Sequence, residues 1–128
     1  MTVDLIKHVL LVSEYLYLSG TSFSGSLPRF PSGLIELDVA DTLFDSGLEW
    51  SNFEGLNNLQ WLVLDGCLFN APIPREFGQL PNLEYFYAKD AMITGDLSYM
   101  EGMLSLFEHW VDNNPGLVSN YMMSMPPT

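Results

Sequence analysis

A short alternating motif recurs along the chain about every 23 residues, and this recurrence limits the possible folds more than any other feature of the sequence. In four of the five copies an apolar residue occupies every second position, and the fifth has His109 at one of them; this is the pattern of a β-strand with one buried side. The copies end on Leu18, Val39, Leu64, Ala88 and Val111, at successive intervals of 21, 25, 24 and 23 residues. One such unit is too short to bury its apolar side alone, so the period predicts a stack of units that cover one another.

A longer pattern surrounds each strand. The second and third units read Leu34-x-x-Leu37-x-Val39-x-x-Thr42-x-Phe44 and Leu59-x-x-Leu62-x-Leu64-x-x-Cys67-x-Phe69. With its period, this pattern is typical of leucine-rich repeats. Apolar residues three positions apart, as in Phe53-x-x-Leu56-x-x-Leu59, indicate short 3₁₀ or irregular helical turns between the strands. We therefore predict an α/β repeat solenoid, with a curved parallel β-sheet on its concave face and helical turns on its convex side.

The length fits one domain, which we place at residues 1–128. Residues 1–12 form an irregular start, and 118–128 form a degenerate end. The repeats are expected at about 13–33, 34–58, 59–82, 83–105 and 106–128.

One position after each strand, here called the ladder position, turns the chain away from the sheet. A short polar side chain there can bond to backbone groups that the turn exposes. Thr21, Thr42, Cys67 and Asn114 suit this role, whereas the fourth unit has Ala91. We therefore expect a looser turn in the fourth unit.

Segments that follow the ladder position resemble one subclass of leucine-rich repeats. Phe23-Ser24-Gly25-Ser26-Leu27-Pro28 and Phe69-Asn70-Ala71-Pro72-Ile73-Pro74 are similar to plant- and microalga-type repeats, which continue with L/F-x-G-x-I/L-P. The resemblance covers roughly residues 13–117 and implies a second short strand in each unit. It also implies a recognition role, as in receptor ectodomains, enzyme inhibitors and adhesion modules, and an extracellular or membrane-associated location. The subclass usually has a cysteine-paired cap that this chain lacks, so we expect a fragment of a longer array.

Charge and cysteine content narrow the choice of partners. The chain has 16 acidic and four basic residues, for a formal charge of −12, which disfavours nucleic acid and anionic membranes. No stretch approaches the ~18 apolar residues of a membrane span, and the first residues lack a signal peptide's basic start and apolar core. Direct membrane insertion by this segment is therefore not expected. The single cysteine excludes an internal disulfide and a multi-cysteine metal cluster.

The strand pattern assigns particular side chains to the open face of the predicted sheet. Nine of the 16 acidic residues fall there, with one basic residue and seven aromatic ones. Aromatic side chains outside a core are typical binding anchors, although cross-strand aromatic pairs also stabilise sheets. We predict a ligand-binding face formed by Tyr15, Tyr17, Glu36, Asp38, Trp61, Asp65, Tyr85, Tyr87, Glu108, Trp110 and Asp112.

These residues favour a non-enzymatic recognition module that binds a protein or peptide. A basic ligand would suit the face, because cations pair with carboxylates and stack on aromatic rings. Two alternatives stay open, namely recognition of carbohydrate or cell wall, including inhibition of a wall-degrading enzyme, and a structural spacer within a larger receptor ectodomain. No catalytic residue, metal site or cofactor is expected. Asp38, Asp41 and Asp65 lack a calcium-loop pattern, and His109 occupies a core position.

Overall fold

The computed structural model describes residues 13–97, 100, 103, 106 and 108–117. The irregular start and the degenerate end lie outside these residues, and the repeat boundaries stay a prediction. In chain order the described elements are β1 (Tyr15–Tyr17), β2 (Ser24–Ser26), β3 (Glu36–Asp38), β4 (Leu43–Ser46), α1 (Trp50–Phe53), β5 (Trp61–Val63), β6 (Ala71–Pro72), a 3₁₀ helix at Arg75–Gln79, β7 (Tyr85–Tyr87), β8 (Ile93–Thr94) and β9 (Glu108–Trp110).

The main sheet has five parallel strands in the order β1-β3-β5-β7-β9. Neighbouring strands pair in one constant register, so that the middle residue of each strand faces the equivalent residue of the next. This row of middle residues is Leu16, Leu37, Leu62, Phe86 and His109. The sequence-based prediction of an α/β repeat solenoid with parallel strands is confirmed.

The core lies between the main sheet and the short helical turns on the opposite side. Leu37, Leu62 and Phe86 are fully buried from the sheet side. Phe53, at the end of α1, and Phe77, in the 3₁₀ helix, pack from the other side with ring centroids 4.8 Å apart. The helical turns thus supply aromatic rings to the core, in agreement with the three-residue spacing of their apolar residues. Within the described part of the chain, every helix is too short or too polar to cross a bilayer.

Polar side chains at the ladder position bond to the carbonyls that the turns expose, either in their own unit or in the preceding one. The Thr21 hydroxyl donates to the carbonyl of Leu18 at 2.7 Å. The Thr42 hydroxyl donates to the Val39 carbonyl at 2.8 Å, and the Cys67 thiol donates to the same oxygen at 3.1 Å. Cys67 is buried and therefore has the structural role that its position predicts.

The prediction of a looser fourth turn is wrong, because the next unit closes that turn. Asn114 Oδ1 accepts hydrogen bonds from the backbone N–H groups of Ala91 at 3.0 Å and Ile93 at 2.9 Å. Its Nδ2 donates to the carbonyls of Ala88 at 2.7 Å and Val111 at 2.8 Å. One buried amide thus satisfies backbone groups of two units, so that a small Ala91 side chain is sufficient.

Short second strands follow the ladder positions, as the resemblance implies. β2 pairs with β4 and β6 with β8, both in parallel, and Gly95 forms an isolated bridge to Leu117. These pairs flank the main sheet and continue the stack around the side of the solenoid.

We predict that Asn114→Ala lowers the free energy of unfolding by roughly 2–4 kcal/mol, because several buried backbone groups lose their partner. Urea unfolding followed by circular dichroism measures the change. Asn113→Gly is the matched control, since Asn113 is exposed and has a φ of 61°, which glycine adopts readily. The control should change stability by no more than about 0.5 kcal/mol. Equal effects of the two substitutions would contradict the assigned role of the Asn114 amide.

A second prediction compares two glycines that have left-handed backbone but different surroundings. A Cβ at Gly47 (φ 86°) would lie 2.5 Å from the Leu27 nitrogen, whereas a Cβ at Gly25 (φ 81°) would have no atom within 4 Å. Gly25→Ala should therefore cost only the backbone strain, about 1 kcal/mol. Gly47→Ala should cost about 3 kcal/mol in the same unfolding assay, because main-chain atoms must also move. A smaller loss for Gly47→Ala than for Gly25→Ala would refute this packing.

Candidate functional site

All eleven residues of the predicted ligand-binding face lie on or directly beyond the strands of the main sheet, on the side away from the core. In each strand the middle residue points inward, and the first and third residues lie on the opposite side, here called the outer face. Constant register aligns these residues into rows across the sheet. The first row is Tyr15, Glu36, Trp61, Tyr85 and Glu108, and the second is Tyr17, Asp38, Val63, Tyr87 and Trp110.

Aromatic rings occupy the middle of the outer face and contact one another across strands. The Trp61 and Tyr85 ring centroids are 4.5 Å apart, and those of Trp61 and Tyr87 are 5.8 Å apart. These contacts stabilise the sheet and hold the rings half-buried. The rings at the sides are more open, since Tyr15 and Tyr17 are 54% and 59% exposed. The outer face therefore combines a braced aromatic centre with accessible aromatic margins.

Tyrosines hold glutamates of the following unit in place at both ends of the sheet. The Tyr17 hydroxyl donates to Glu36 Oε1, and the Tyr87 hydroxyl donates to Glu108 Oε1 at 2.9 Å. The Trp110 indole N–H also donates to Glu108 Oε1, at 2.8 Å. Both pairs run from the second row of one unit to the first row of the next. These hydrogen bonds orient the two carboxylates, whereas the sequence alone predicts only that both lie on the same face.

These tyrosine hydroxyls lose their protons less readily than a tyrosine in water. The hydrogen bond to Glu36, followed by burial, raises the pKa of Tyr17. Burial and then the hydrogen bond to Glu108 raise the pKa of Tyr87. Both hydroxyls thus act as neutral hydrogen-bond donors at physiological pH.

A third row, which includes Asp65, Lys89 and Asp112, continues past the ends of the strands and carries charges of both signs. Asp65 Oδ1 accepts a hydrogen bond of 2.7 Å from the backbone N–H of Lys89. The Lys89 ammonium lies 3.9 Å from Asp112 Oδ2. Burial raises the pKa of Asp65, with smaller contributions from Asp38 and Asp41 and opposition from Lys89. Asp112 thus neutralises part of the charge of Lys89, the basic residue of this row.

Just beyond this row, each unit turns through a residue with left-handed backbone. The position holds Gly20, Asp41, Gly66, Asp90 and Asn113, with φ between 53° and 75°. Gly, Asp and Asn tolerate this conformation best, which explains the composition of the position. A Cβ at Gly66 would lie 2.1 Å from Asp41 Oδ1, so the absent side chain leaves room for that carboxylate.

Asp41, Asp90 and Lys89 form the charged margin of the outer face; the strand pattern counts them on that face, but they are not in the predicted ligand-binding set. Asp41 and Asp90 share the left-handed turn, and Asp41 and Lys89 lie beside Asp65, an arrangement that appears only when the units are stacked. The recurrent Gly/Asp/Asn composition is the sequence signal that could have identified this margin.

The residues considered for metal binding or for a reactive side chain lie in settings that favour a structural role. Among the described residues, no group of three or more His, Cys, Asp and Glu side chains could hold a metal ion. Burial raises the pKa of the Cys67 thiol, which disfavours the reactive thiolate. His109 is half-buried in the inward-facing row of the main sheet, beside Phe86.

Comparison with known families gives one match. A family model described as Leucine Rich Repeat matches residues 14–34, which include β1 and β2, and residues 58–80, which include β5, β6 and the 3₁₀ helix. Neither the curated proteins nor the solved structures contain a match to the chain. The two matched segments carry the same sequence of strand, ladder turn and second strand.

The half-buried position of Asp65 gives a prediction about the pH dependence of stability. Because the pKa of the Asp65 carboxyl is higher in the folded than in the unfolded chain, the protein loses stability as the pH rises above 3.8, the ordinary pKa of aspartate. Asp65→Asn keeps an acceptor for the Lys89 N–H and removes the charge. It should therefore raise the free energy of unfolding at pH 7 by up to about 1 kcal/mol, since solvent screens the site.

This gain should shrink as pH falls toward 4, where wild-type Asp65 becomes protonated in the folded chain. Asp65→Ala is the matched comparison, because it also removes the charge but leaves the Lys89 N–H without its acceptor. Unfolding measured between pH 4 and 8 separates the two effects. A gain for Asp65→Asn that does not depend on pH would contradict the raised pKa of this half-buried carboxylate.

Proposed function

Because the chain is a leucine-rich repeat protein, we propose that it is a recognition module, with no catalytic activity of its own, that binds a basic protein or peptide on the outer face. Leucine-rich repeat domains generally mediate recognition of proteins or other ligands. The observation that carries the choice of partner is the placement of oriented carboxylates directly beside aromatic rings on one face. Such a surface suits lysine and arginine side chains.

The aromatic centre provides the apolar part of the proposed contact. Trp61 and Tyr85 are held at a ring distance of 4.5 Å, so their position is set before a ligand arrives. Binding to rings that are already ordered loses less conformational entropy than binding to mobile ones. A guanidinium or ammonium group placed over these rings gains a cation–π interaction, and its aliphatic stem covers the apolar surface.

The carboxylates provide the charge complement and the direction of approach. Glu36 and Glu108 are held by Tyr17 and Tyr87 toward opposite ends of the sheet. Three strand spacings separate Glu36 on β3 from Glu108 on β9, which corresponds to about 14 Å. An extended peptide of about four to five residues spans that distance. We therefore propose a ligand that crosses the strands, with cationic side chains near both glutamates and an aromatic contact between them.

Carbohydrate binding is the main alternative and uses the same rings in another way. Sugar rings stack on Trp and Tyr, but neutral sugars do not require the surrounding negative charge. Salt therefore distinguishes the two ligands, since added salt weakens binding of a basic peptide and has little effect on a neutral glycan.

We predict that eight-residue peptides selected against the chain from a display library are enriched in Lys and Arg. Their dissociation constants should rise at least tenfold between about 50 and 500 mM salt. Glu36→Gln with Glu108→Gln should weaken binding several-fold. Glu54→Gln with Glu76→Gln makes the same charge change at exposed positions beside and within the helical turns, and should leave affinity nearly unchanged. Equal effects of the two double variants would show that only net charge matters.

Removal of the aromatic centre tests the location separately. Trp61→Ala with Tyr85→Ala should weaken binding of the selected peptides by about 2–4 kcal/mol, as expected for interface anchors. Isothermal titration calorimetry gives the affinity, and circular dichroism checks that the variant is folded. Unchanged peptide affinity would place the binding site elsewhere. Salt-insensitive binding on a glycan array that is lost in the same variant would favour the carbohydrate alternative.

A further inference from the structure

Three large apolar side chains protrude from the same position of three successive units. Leu43, Leu68 and Met92 are 52%, 47% and 46% exposed, and each directly follows a ladder position. The corresponding residue of the next unit, Pro115, is also exposed. We call Leu43, Leu68, Met92 and Pro115 the apolar stripe. Single exposed apolar residues are ordinary on protein surfaces, but a repeated row of them marks an interaction surface.

The stripe lies beside the outer face and not within it, because the ladder turn directs the chain away from the main sheet. Backbone hydrogen bonds fix the level of its members in the stack. The Leu43 N–H donates to Phe23 O at 2.8 Å, and the Leu68 N–H donates to Phe44 O at 3.1 Å. Both bonds join a stripe position to the residue two places after the ladder position of the preceding unit, so the stripe rises by one unit at each step.

The backbone at Met92 supports a role for this exposure. Its φ is 56°, a left-handed conformation in which residues other than Gly, Asn and Asp are uncommon. Asn would fit the backbone better and would also suit an exposed site. Met at this place thus costs stability in both backbone and surface terms, which is expected where a side chain serves an interaction.

The spacing of the stripe favours a helical partner over an extended one. Units of a parallel stack are about 4.8 Å apart, so four stripe positions extend over about 14 Å. Successive turns of an α-helix are about 5.4 Å apart, a mismatch of about 2 Å over three steps. Side chains on one side of a β-strand are about 6.7 Å apart, a mismatch of about 6 Å over the same steps. Only the helix can place a side chain at every level of the stripe.

The charge around the apolar stripe indicates which residues the polar side of such a helix should carry. Within two positions of the stripe residues the sequence has Asp41, Asp45 and Asp90 and no Lys or Arg. All three aspartates are exposed. A helix that lies along the stripe would therefore meet carboxylates at its margins, where lysine or arginine side chains are complementary.

We propose that the apolar stripe docks an amphipathic α-helix of a partner protein, with its apolar side on Leu43, Leu68 and Met92 and basic residues facing Asp41, Asp45 and Asp90. The apolar stripe itself lies outside the outer face, and the two surfaces border one another at Asp41 and Asp90.

The test uses three synthetic peptides of about 14 residues, long enough for about four helical turns. One contains Leu and Lys at helical spacing, the second is an isomer of identical composition with strictly alternating Leu and Lys, and the third replaces Lys by Glu at helical spacing. Fluorescence anisotropy at about 150 mM salt measures each affinity. The helical Leu/Lys peptide should bind at least about tenfold more tightly than either of the others, and its helicity should increase on binding.

The variant Leu43→Ser, Leu68→Ser, Met92→Asn should abolish the preference for the helical peptide over its isomer. Asn at position 92 suits the left-handed backbone, so the thermal midpoint should be close to that of the wild type or above it. Trp61→Ala with Tyr85→Ala alters the outer face and should retain the preference, which separates this proposal from the preceding one. If the triple variant does not fold, Asp41→Asn with Asp45→Asn and Asp90→Asn keeps the stripe and should weaken the helical peptide at least about fivefold.

Three results would overturn the proposal. The first is equal affinity for the helical peptide and its alternating isomer, which would leave only charge attraction. The second is loss of the preference in the outer-face variant but not in the stripe variant. The third is self-association of the wild-type chain in sedimentation velocity that the triple variant abolishes, which would assign the stripe to contacts between copies.

Discussion

Backbone hydrogen bonds between neighbouring units continue past each strand into the turn that follows it, and the other features of the structure depend on this continuity. The Leu18 N–H donates to Asp38 O and the Gly20 N–H to Ala40 O, and the same two bonds recur one unit later from Val39 and Asp41. Because parallel strands are held in one register, every position of a unit lies beside the same position of the next. A unit without neighbours would have neither these bonds nor a covered apolar side.

Because the register is constant, residues from the same position of successive units lie side by side, and each such position forms a surface of one chemical character. The inward row forms a buried sheet side, the first and third strand positions form the aromatic and acidic outer face, and the position after the ladder residue forms an exposed apolar row. The left-handed turn fixes the boundary between the last two surfaces, because it redirects the chain at the same level in all five units. Two adjacent surfaces of different chemistry thus arise from one repeated backbone path.

The outer face illustrates the balance between stability and recognition in such a stack. Contacts of Trp61 with Tyr85 and Tyr87 stabilise the sheet, and the Tyr87 bond to Glu108 links two units. The same contacts hold rings and carboxylates in fixed positions, which would reduce the entropy lost on the proposed binding. Stabilising interactions are therefore compatible with the proposed binding surface, because the rings that contact one another stay half-exposed to solvent.

The sequence by itself determined the repeat, the parallel solenoid and the set of side chains that share the outer face. Strand alternation and constant period are sufficient for those conclusions, because both are local properties that each unit repeats. Only the tertiary structure decided which of those side chains touch, as in the diagonal bond from Tyr17 to Glu36, and which turn Asn114 closes in place of Ala91. It also revealed that Leu43, Leu68 and Met92 protrude side by side. Contacts between units depend on the offset and twist of neighbouring strands and on side-chain rotamers, and none of these is encoded in the pattern of a single repeat.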